Sequence, residues 1–381
     1  MLPADPGPIV LCAGQYGSAS TWLYNAVHAL LAADRGEAGV HRQFADSPDA
    51  LPAQPDGRAL VLKSHAPTGG MRWLVARGGG KAIITLRDPR DGAASVVGRF
   101  GLDYPTVAGR VARSAATLPL LAASSLPLLV LRYEDGFAAR RETLDRVAGF
   151  LGLAPPPGLL DALFARLTPD AVRAEIDRML EVGAFGPAPD SNSHDGVTHW
   201  HPGHVGDGEV GKFARILTEG QVGDIIRRTR AYQDAFGYPM PPLAPPVPGR
   251  PMPVAGWGPG LAHLGAGFAE PDELGAWTEG AEARLHLAGA TGMVELELEL
   301  PKPGRRAPPN PMRWSLWAAD GTAPLHGPVE AAATPARLKV AVPAQAADLL
   351  LRFDALEPAR QVGLHPSRRL FGLRLRSFRL R

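Results

Sequence analysis

Cysteine is all but missing. Cys12 is the only one in 381 residues, so no intrachain disulfide can form and no metal site can be built on several thiolates. That scarcity favours a reducing compartment, and the cytoplasm is the expected location. Lysine is nearly as rare: Lys63, Lys81, Lys212, Lys302 and Lys339 are the five among 40 Lys and Arg residues. A lysine set beside a histidine in such a chain reads as chemistry rather than surface filler. Net charge is only +2, too weak a field to argue for nucleic acid. The apolar stretch 115–131 is broken by Pro119, Ser124, Ser125 and Pro127, and reads as a helix end, a turn and a buried strand rather than a membrane span. The N-terminus carries Pro3, Asp5, Pro6 and Pro8 and no basic residue, so no signal peptide and a soluble protein are expected.

Hydrophobic residues make up 45% of the chain, enough for a substantial core. Over the first 240 residues short apolar runs (9–13, 59–62, 82–86, 128–131) alternate with helical patterns (20–33, 91–100, 140–151). Strands alternating with helices imply an α/β domain, a mostly parallel sheet covered on both faces. Residues 241–262 are proline-rich and read as a stiff linker. Beyond them the period changes from 3.6 to 2. Val294, Leu296, Leu298 and Leu300 face one way and Glu295, Glu297 and Glu299 the other. Further strands are expected at 312–317, 337–342, 349–353 and 370–380, so residues 263–381 read as an antiparallel β-sandwich domain.

Four motifs follow strand ends. Gly17, Ser18, Ala19, Ser20, Thr21 and Trp22 lie between the first strand and first helix, where small residues, hydroxyls and a helix N-terminus suit a phosphate-type anion; no Walker loop is present. Lys63-Ser64-His65-Ala66-Pro67 sets a cation two residues from a potential general base. Arg87-Asp88-Pro89-Arg90-Asp91, followed by Ser95, could grip a phosphate, and Tyr133-Glu134-Asp135 could border a base. Each alone has a plain structural explanation, as a cap, an ion pair or a turn. Their convergence on one sheet edge is the stronger signal.

Together they resemble the sulfotransferase family that uses 3'-phosphoadenosine 5'-phosphosulfate (PAPS). The family's 5'-phosphosulfate loop is matched by Gly17 to Leu23, its Lys-Thr-His-x-Pro by Lys63 to Pro67, its Arg-x-Pro-x-Asp and following Ser by Arg87 to Asp91 and Ser95, and its Tyr-Glu-Asp by Tyr133 to Asp135, with Phe-Leu-Gly at Phe150 to Gly152. The resemblance spans roughly residues 8–240. It implies a P-loop-like α/β fold and transfer of a sulfuryl group from PAPS to an acceptor hydroxyl, leaving 3'-phosphoadenosine 5'-phosphate (PAP), with no metal required. It further implies that His65 is the general base, that Lys63 stabilises the bridging oxygen aided by Ser20 and Thr21, that Arg87 and Ser95 hold the 3'-phosphate, and that Trp22 stacks on adenine beside Tyr133. The chain departs from the pattern at Gly17, where a basic residue is usual, at Ala19, and at 201–207, where a basic pair is lost. The late contact then falls to Lys212, His204 or the backbone at Gly203.

His194, His199, His201 and His204 cluster in that late segment, and a zinc site of His199, His201, His204 and Asp207 is conceivable, but a cofactor-covering loop explains the cluster better. Trp257, Trp277, Trp314 and Trp317 lie in the C-terminal region and read as sandwich core before sugar platforms. Arg374, Arg376, Arg379 and Arg381 alternate on the last strand and read as a solvated edge. The closing segment from Ser367 resembles β-sandwich modules of bacterial glycan-synthesis enzymes, which points to a bacterial protein with a saccharide or glycolipid acceptor. No nucleic acid or transmembrane segment is expected, and a homo-oligomer is compatible with the sequence. A small-molecule kinase and a non-catalytic nucleotide- or glycan-binding protein on the same fold are the competing readings.

Overall fold

The structure is a computed structural model that describes residues 7–51, 57–185, 193–300, 312–330, 337–345, 347–354, 357–358 and 370–381. Pro3, Asp5, Pro6, Lys302 and the Ser367 start of the closing segment lie outside the described residues. The chain divides into two compact units, Met1–Ile216 with Thr229–Pro239, and Leu217–Arg228 with Met240–Arg381.

In the first unit, β1 (Ile9–Gly14), β2 (Val40–Phe44), β3 (Ala59–Ser64), β4 (Lys81–Leu86) and β5 (Leu128–Arg132) form a five-stranded sheet in the order β2-β3-β1-β4-β5. Every neighbouring pair is parallel. Helices α1 (Ser20–Arg35), α2 (Gly69–Arg77), α3 (Pro89–Phe100), α4 (Tyr104–Ala122), α5 (Glu142–Leu151), α6 (Leu159–Leu167), α7 (Pro169–Glu181) and α8 (Phe213–Ile216) follow; α9 (Glu219–Arg228) belongs to the second unit and α10 (Arg230–Phe236) to the first.

The central strands are apolar at nearly every position because both faces are covered. Side chains alternate across the sheet. Val10, Cys12, Val61 and Ile83 pack with Leu23, Val27 and Leu30 of α1. Ile9, Leu11, Leu60 and Ile84 pack on the other face with Val75 of α2 and Leu118 of α4. Each such side chain, fully buried, contributes about 1.5–3 kcal/mol. The stretch 115–131 is, as the sequence implies, a helix end, a turn and a strand. The strand β5 is only half-buried rather than buried, because it closes the sheet at an edge. The opposite edge, β2, was not foreseen: its Val-His-Arg-Gln-Phe carries a single buried residue, Val40, and so no apolar period.

The second unit is an antiparallel sandwich. One sheet runs β11 (Pro324–Glu330), β10 (Arg313–Ala318), β13 (Leu349–Phe353) and β8 (Glu282–Leu285). The other has the path β12 (Arg337–Gln345), β9 (Thr291–Glu299), β15 (Leu370–Leu380) and β14 (Glu357–Pro358), with β6 (Pro251–Pro253) and β7 (Ala276–Glu279) also paired to β15. β6 and residues to either side of it fall in the stretch read as a stiff linker. Val294, Leu296, Leu298, Leu375 and Phe378 of one sheet meet Trp314, Leu316, Leu349 and Leu351 of the other in one core. Of the four tryptophans read as core, Trp314 is buried in it and Trp257 packs against it, whereas Trp277 is buried beside Ala269 outside that core and Trp317 is half-buried under Arg352. The arginines of β15 correct an expectation. They do not line an edge, because β15 is flanked on both sides, and of the four only Arg381 is exposed. Arg376 Nη1 lies 2.9 Å from Glu299 Oε2, Arg379 Nη2 lies 3.2 Å from Glu295 Oε1, and Arg374 is buried against Asp272 and the Trp277 ring. The alternating glutamates of β9 are the partners that the arginines were made for. Helix α9 seats on this unit through Gly220, where a β-carbon would come 2.3 Å from the Trp257 carbonyl oxygen.

Candidate functional site

The carboxyl ends of β1, β3, β4 and β5 deliver loops 15–19, 65–67, 87–88 and 133–135 to one edge of the parallel sheet, the usual position of an α/β ligand site. Loop 15–19 turns through two left-handed residues, Gly17 (φ 77°) and Ala19 (φ 61°). A β-carbon at 17 would lie 3.1 Å from the Gly92 carbonyl oxygen, so the loop rests hard against α3. Ala19 starts α1 with no side-chain cap, which leaves the first-turn amides and the Ser20 and Thr21 hydroxyls to the cavity they line.

At the end of β3, His65 Nδ1 is 2.7 Å from the Gly14 carbonyl oxygen. A carbonyl only accepts, so Nδ1 carries the proton and Nε2 keeps its lone pair. That Nε2 stands 3.5 Å from Lys63 Nζ. The imidazole is clamped by Tyr16, whose ring stacks on it at 4.0 Å. Asp46 fixes the turn: its Oδ1 accepts from Ser64 Oγ at 2.6 Å and from the amides of His65 and Ala66 at 3.0 Å each. Burial pushes the Asp46 carboxyl up, but these hydrogen bonds prevail and hold it below its ordinary range. Burial, and then the Lys63 charge, bring His65 down to about 3. Burial lowers Lys63 to about 8 against the pull of Asp46.

At the end of β4, Arg87 is almost fully buried. Its Nη1 donates to Gly17 O at 2.9 Å and Nη2 to Glu209 O at 2.8 Å, its plane covers the Tyr133 ring at 3.9 Å, and its Nε has no partner. Asp88 caps α3, accepting from the Arg90 amide at 2.9 Å, with Pro89 in the first turn. Asp91 accepts from the amides of Gly211 at 2.6 Å and Phe213 at 3.0 Å, which ties the late segment to α3. Arg99, one turn after Ser95, donates from Nε to Ser95 O at 3.2 Å and from Nη1 to His204 O. Burial, then the nearby Arg87 charge, lower Arg99 to about 10. Glu134 holds the β5 end by accepting from the Asp88 amide at 2.7 Å and from the Tyr238 hydroxyl at 3.0 Å.

These groups line one cavity of about 480 Å³. Among the described residues, five cationic side chains line it (Lys63, Arg87, Arg99, Arg110 and Lys212) and no carboxylate does. His199 and His201 are lowered to about 4, and His204 well below its ordinary value, in each case chiefly by burial. The histidines are therefore neutral near pH 7 and the charge rests on the lysines and arginines. Such a lining suits an anionic ligand.

The chain is similar to solved structures crystallised with PAP. One is a mouse sulfotransferase, SULT7A1, complexed with PAP: identity is 14%, the likeness covers 62% of this chain and 90% of that one, and the TM-score is 0.43. Two are retinol dehydratase, in complex with androsterone and inactive cofactor PAP (14% identity, 64% of this chain, 85% of that one) and with retinol and PAP (15%, 63% and 85%), both at a TM-score of 0.43. No family model matches the chain, and no curated protein matches it in sequence.

Of the residues singled out from sequence, Gly17, Ala19, Ser20, Thr21, Trp22, Lys63, His65, Arg87, Ser95, Tyr133, His204 and Lys212 line the cavity. Ser18 and Gly203 do not. Ser18 is fully buried, with its hydroxyl donating to Gln15 O at 2.6 Å and meeting Thr85 Oγ1 at 2.7 Å, so it holds the loop's shape. Trp22 is nearly buried and its Nε1 donates to Leu167 O at 3.0 Å, which leaves only an edge to the cavity. Lys212 Nζ is 2.9 Å from Asp207 Oδ1. The late histidines meet ring to ring, His201 and His204 at 4.3 Å and His194 and His199 at 5.4 Å. His199 takes a left-handed φ of 57°, and among the described residues no group of three His, Cys, Asp or Glu could hold a metal ion.

Sequence reasoning missed Asp46, Tyr16, Arg99 and Arg110. Arg99 carried one signal, its i+4 spacing from Ser95, but a basic residue in a helix's last turn reads first as a complement to the helix dipole. Among the described residues no helix is long and apolar enough to cross a membrane.

Proposed function

We propose that the first unit is a PAPS-dependent sulfotransferase that moves a sulfuryl group to a hydroxyl of a carbohydrate or glycolipid. One observation carries the reading. Four strand-end motifs of one family, distant in sequence, line a single cavity with five cations and no carboxylate. The residues suit a 3',5'-bisphosphorylated adenosine. Arg87, with its unpartnered buried Nε, Ser95 and Arg99 form one basic corner for a 3'-phosphate. The open α1 N-terminus with Ser20, Thr21 and Lys63 forms another for the 5' side. Tyr133 and the Trp22 edge border the base between them.

When bound, the donor supplies the sulfuryl group and a phosphate leaving group. His65 Nε2 takes the acceptor proton while the acceptor oxygen forms its bond to sulfur and the bond from sulfur to the bridging oxygen breaks. Neutral His65, with its proton fixed on Nδ1 by Gly14, offers that lone pair throughout the physiological range. Lys63 Nζ, 3.5 Å away, faces the charge that builds on the departing oxygen. Asp46 and Tyr16 hold the imidazole in place.

A non-catalytic nucleotide binder is the second reading, favoured by Gly17, whose left-handed φ and close seat against Gly92 disfavour the usual basic side chain. The test is transfer of labelled sulfate from PAPS to a panel of saccharides and glycolipids in EDTA. Transfer that persists in EDTA and is lost in His65→Ala supports the proposal. PAP binding without transfer to any acceptor favours the binder, and a requirement for ATP and magnesium would indicate a kinase.

A further inference from the structure

Four of the five cavity cations already have partners. Lys63 lies beside His65 and over the Phe44 ring, Arg87 and Arg99 donate to backbone carbonyls, and Lys212 pairs with Asp207. The fifth, Arg110 on α4, has no hydrogen bond and no ion pair among the described residues, although it lines the cavity. Helix α4 contains no carboxylate, and it repeats the charge one turn later, on the same face, at Arg113. Two like charges at that spacing, with no ion pair to either among the described residues, repel one another in the free protein. Both lie toward Tyr16: their positive fields oppose the effect of burial on its hydroxyl. Tyr16 in turn stacks on His65. Arg110 therefore shares the cavity lining with Tyr16, the residue that stacks on His65.

We propose that the acceptor is itself an anion: the hydroxyl that meets His65 belongs to a molecule carrying a carboxylate or a sulfate ester, and Arg110 binds that group. This rests on the sulfotransferase reading and adds to it a substrate class, for which a uronic-acid saccharide is the simplest probe. A guanidinium meeting a carboxylate in a partly enclosed cleft makes charge-assisted hydrogen bonds, whose loss is worth roughly tenfold or more in affinity.

The test compares acceptors that differ only in charge, with PAPS as donor: p-nitrophenyl β-glucuronide against p-nitrophenyl β-glucoside, and a glucuronate-containing oligosaccharide against its carboxyl-reduced form. The expected result is kcat/KM about tenfold or more higher for the charged member of each pair, a preference that falls to near one in Arg110→Gln and survives in part in Arg110→Lys. The preference should also weaken as salt rises. Equal or better rates with the neutral members, no transfer to either charged member, or a preference unchanged in Arg110→Gln would each overturn the proposal. Thermal stabilisation by PAP is read separately on the wild type and on Arg110→Gln. It shows that the variant folds, and its absence in the wild type would mark failure of the donor reading rather than of this one.

Discussion

His65 Nδ1 lies 2.7 Å from the carbonyl oxygen of Gly14, the last residue of β1. One backbone group on a neighbouring strand thus decides which nitrogen of the imidazole is basic. The clamp comes from three directions, since Tyr16 covers one face of the ring and Asp46 holds the amide of His65 itself. A histidine held so firmly, with its free nitrogen toward a buried lysine, has been given an orientation that a merely structural histidine does not need.

On the proposed mechanism, replacing it removes the base and little else. His65→Ala is expected to lower kcat by roughly 10²–10⁴, the scale of general-base loss, while the PAP dissociation constant changes by only a few-fold. Steady-state rates and calorimetry on the same preparation separate the two. A variant transferring sulfate at the wild-type rate would remove His65 from the mechanism.

Lys63 gives the site its pH dependence. In the free protein burial brings its pKa to about 8. Bound phosphate favours the charged form and so raises that value. Affinity for PAP is therefore flat below pH 8 and falls as pH rises beyond it, by at most about tenfold per pH unit. Calorimetry between pH 7 and 9.5 checks this. Lys63→Met should bind PAP more weakly and lose the alkaline limb.

Arg99 stands beside Arg87 and Ser95, where the family pattern would draw a basic pair from the late loop and this chain offers His201 and Pro202. Arg99→Gln should weaken PAP binding by roughly 10–100-fold, the value of a charged hydrogen bond or two. AMP, which has no 3'-phosphate, should be affected far less. Equal losses for the two nucleotides would place Arg99 elsewhere.

A lysine at position 17 would restore the family residue in sequence but not in space. Gly17 has φ 77°, and its β-carbon would meet the Gly92 carbonyl oxygen at 3.1 Å. Gly17→Lys should destabilise the fold by about 1–3 kcal/mol of backbone strain, read as a lower unfolding temperature, and bring no gain in PAP affinity. A tighter-binding, equally stable variant would show that the loop yields.

Much of this could be read from the chain because strand ends carry their own markers. Apolar runs such as 59–62 announce β3, and Lys63 and His65 must then emerge at its carboxyl end. The period-2 pattern at Val294, Leu296 and Leu298 announced the sandwich in the same way. What stayed hidden depends on contacts between distant segments. Asp46 follows an edge strand with one buried residue, and its partners lie 18 to 20 positions away. Arg110 lines the same cavity as Tyr16, which is nearly a hundred residues upstream in a different loop. The β15 arginines were misread because their partners, Glu295, Glu297 and Glu299, come from a strand whose pairing no local pattern reveals. The Ser18 hydroxyl shows a local ambiguity: a hydroxyl in a phosphate-type loop can as readily turn inward, here to Gln15 and Thr85.

The central claim is that the motifs at the ends of β1, β3 and β4 grip one bisphosphorylated adenosine. A thermal unfolding series with PAP, AMP and ATP tests it most directly, because a ligand bound only by the folded state raises stability as RT ln(1 + [L]/Kd). Concentration-dependent stabilisation by PAP, well beyond that by AMP and independent of magnesium, is the expected result. Equal responses to PAP and AMP, no response to PAP, or a preference for ATP with magnesium would contradict it.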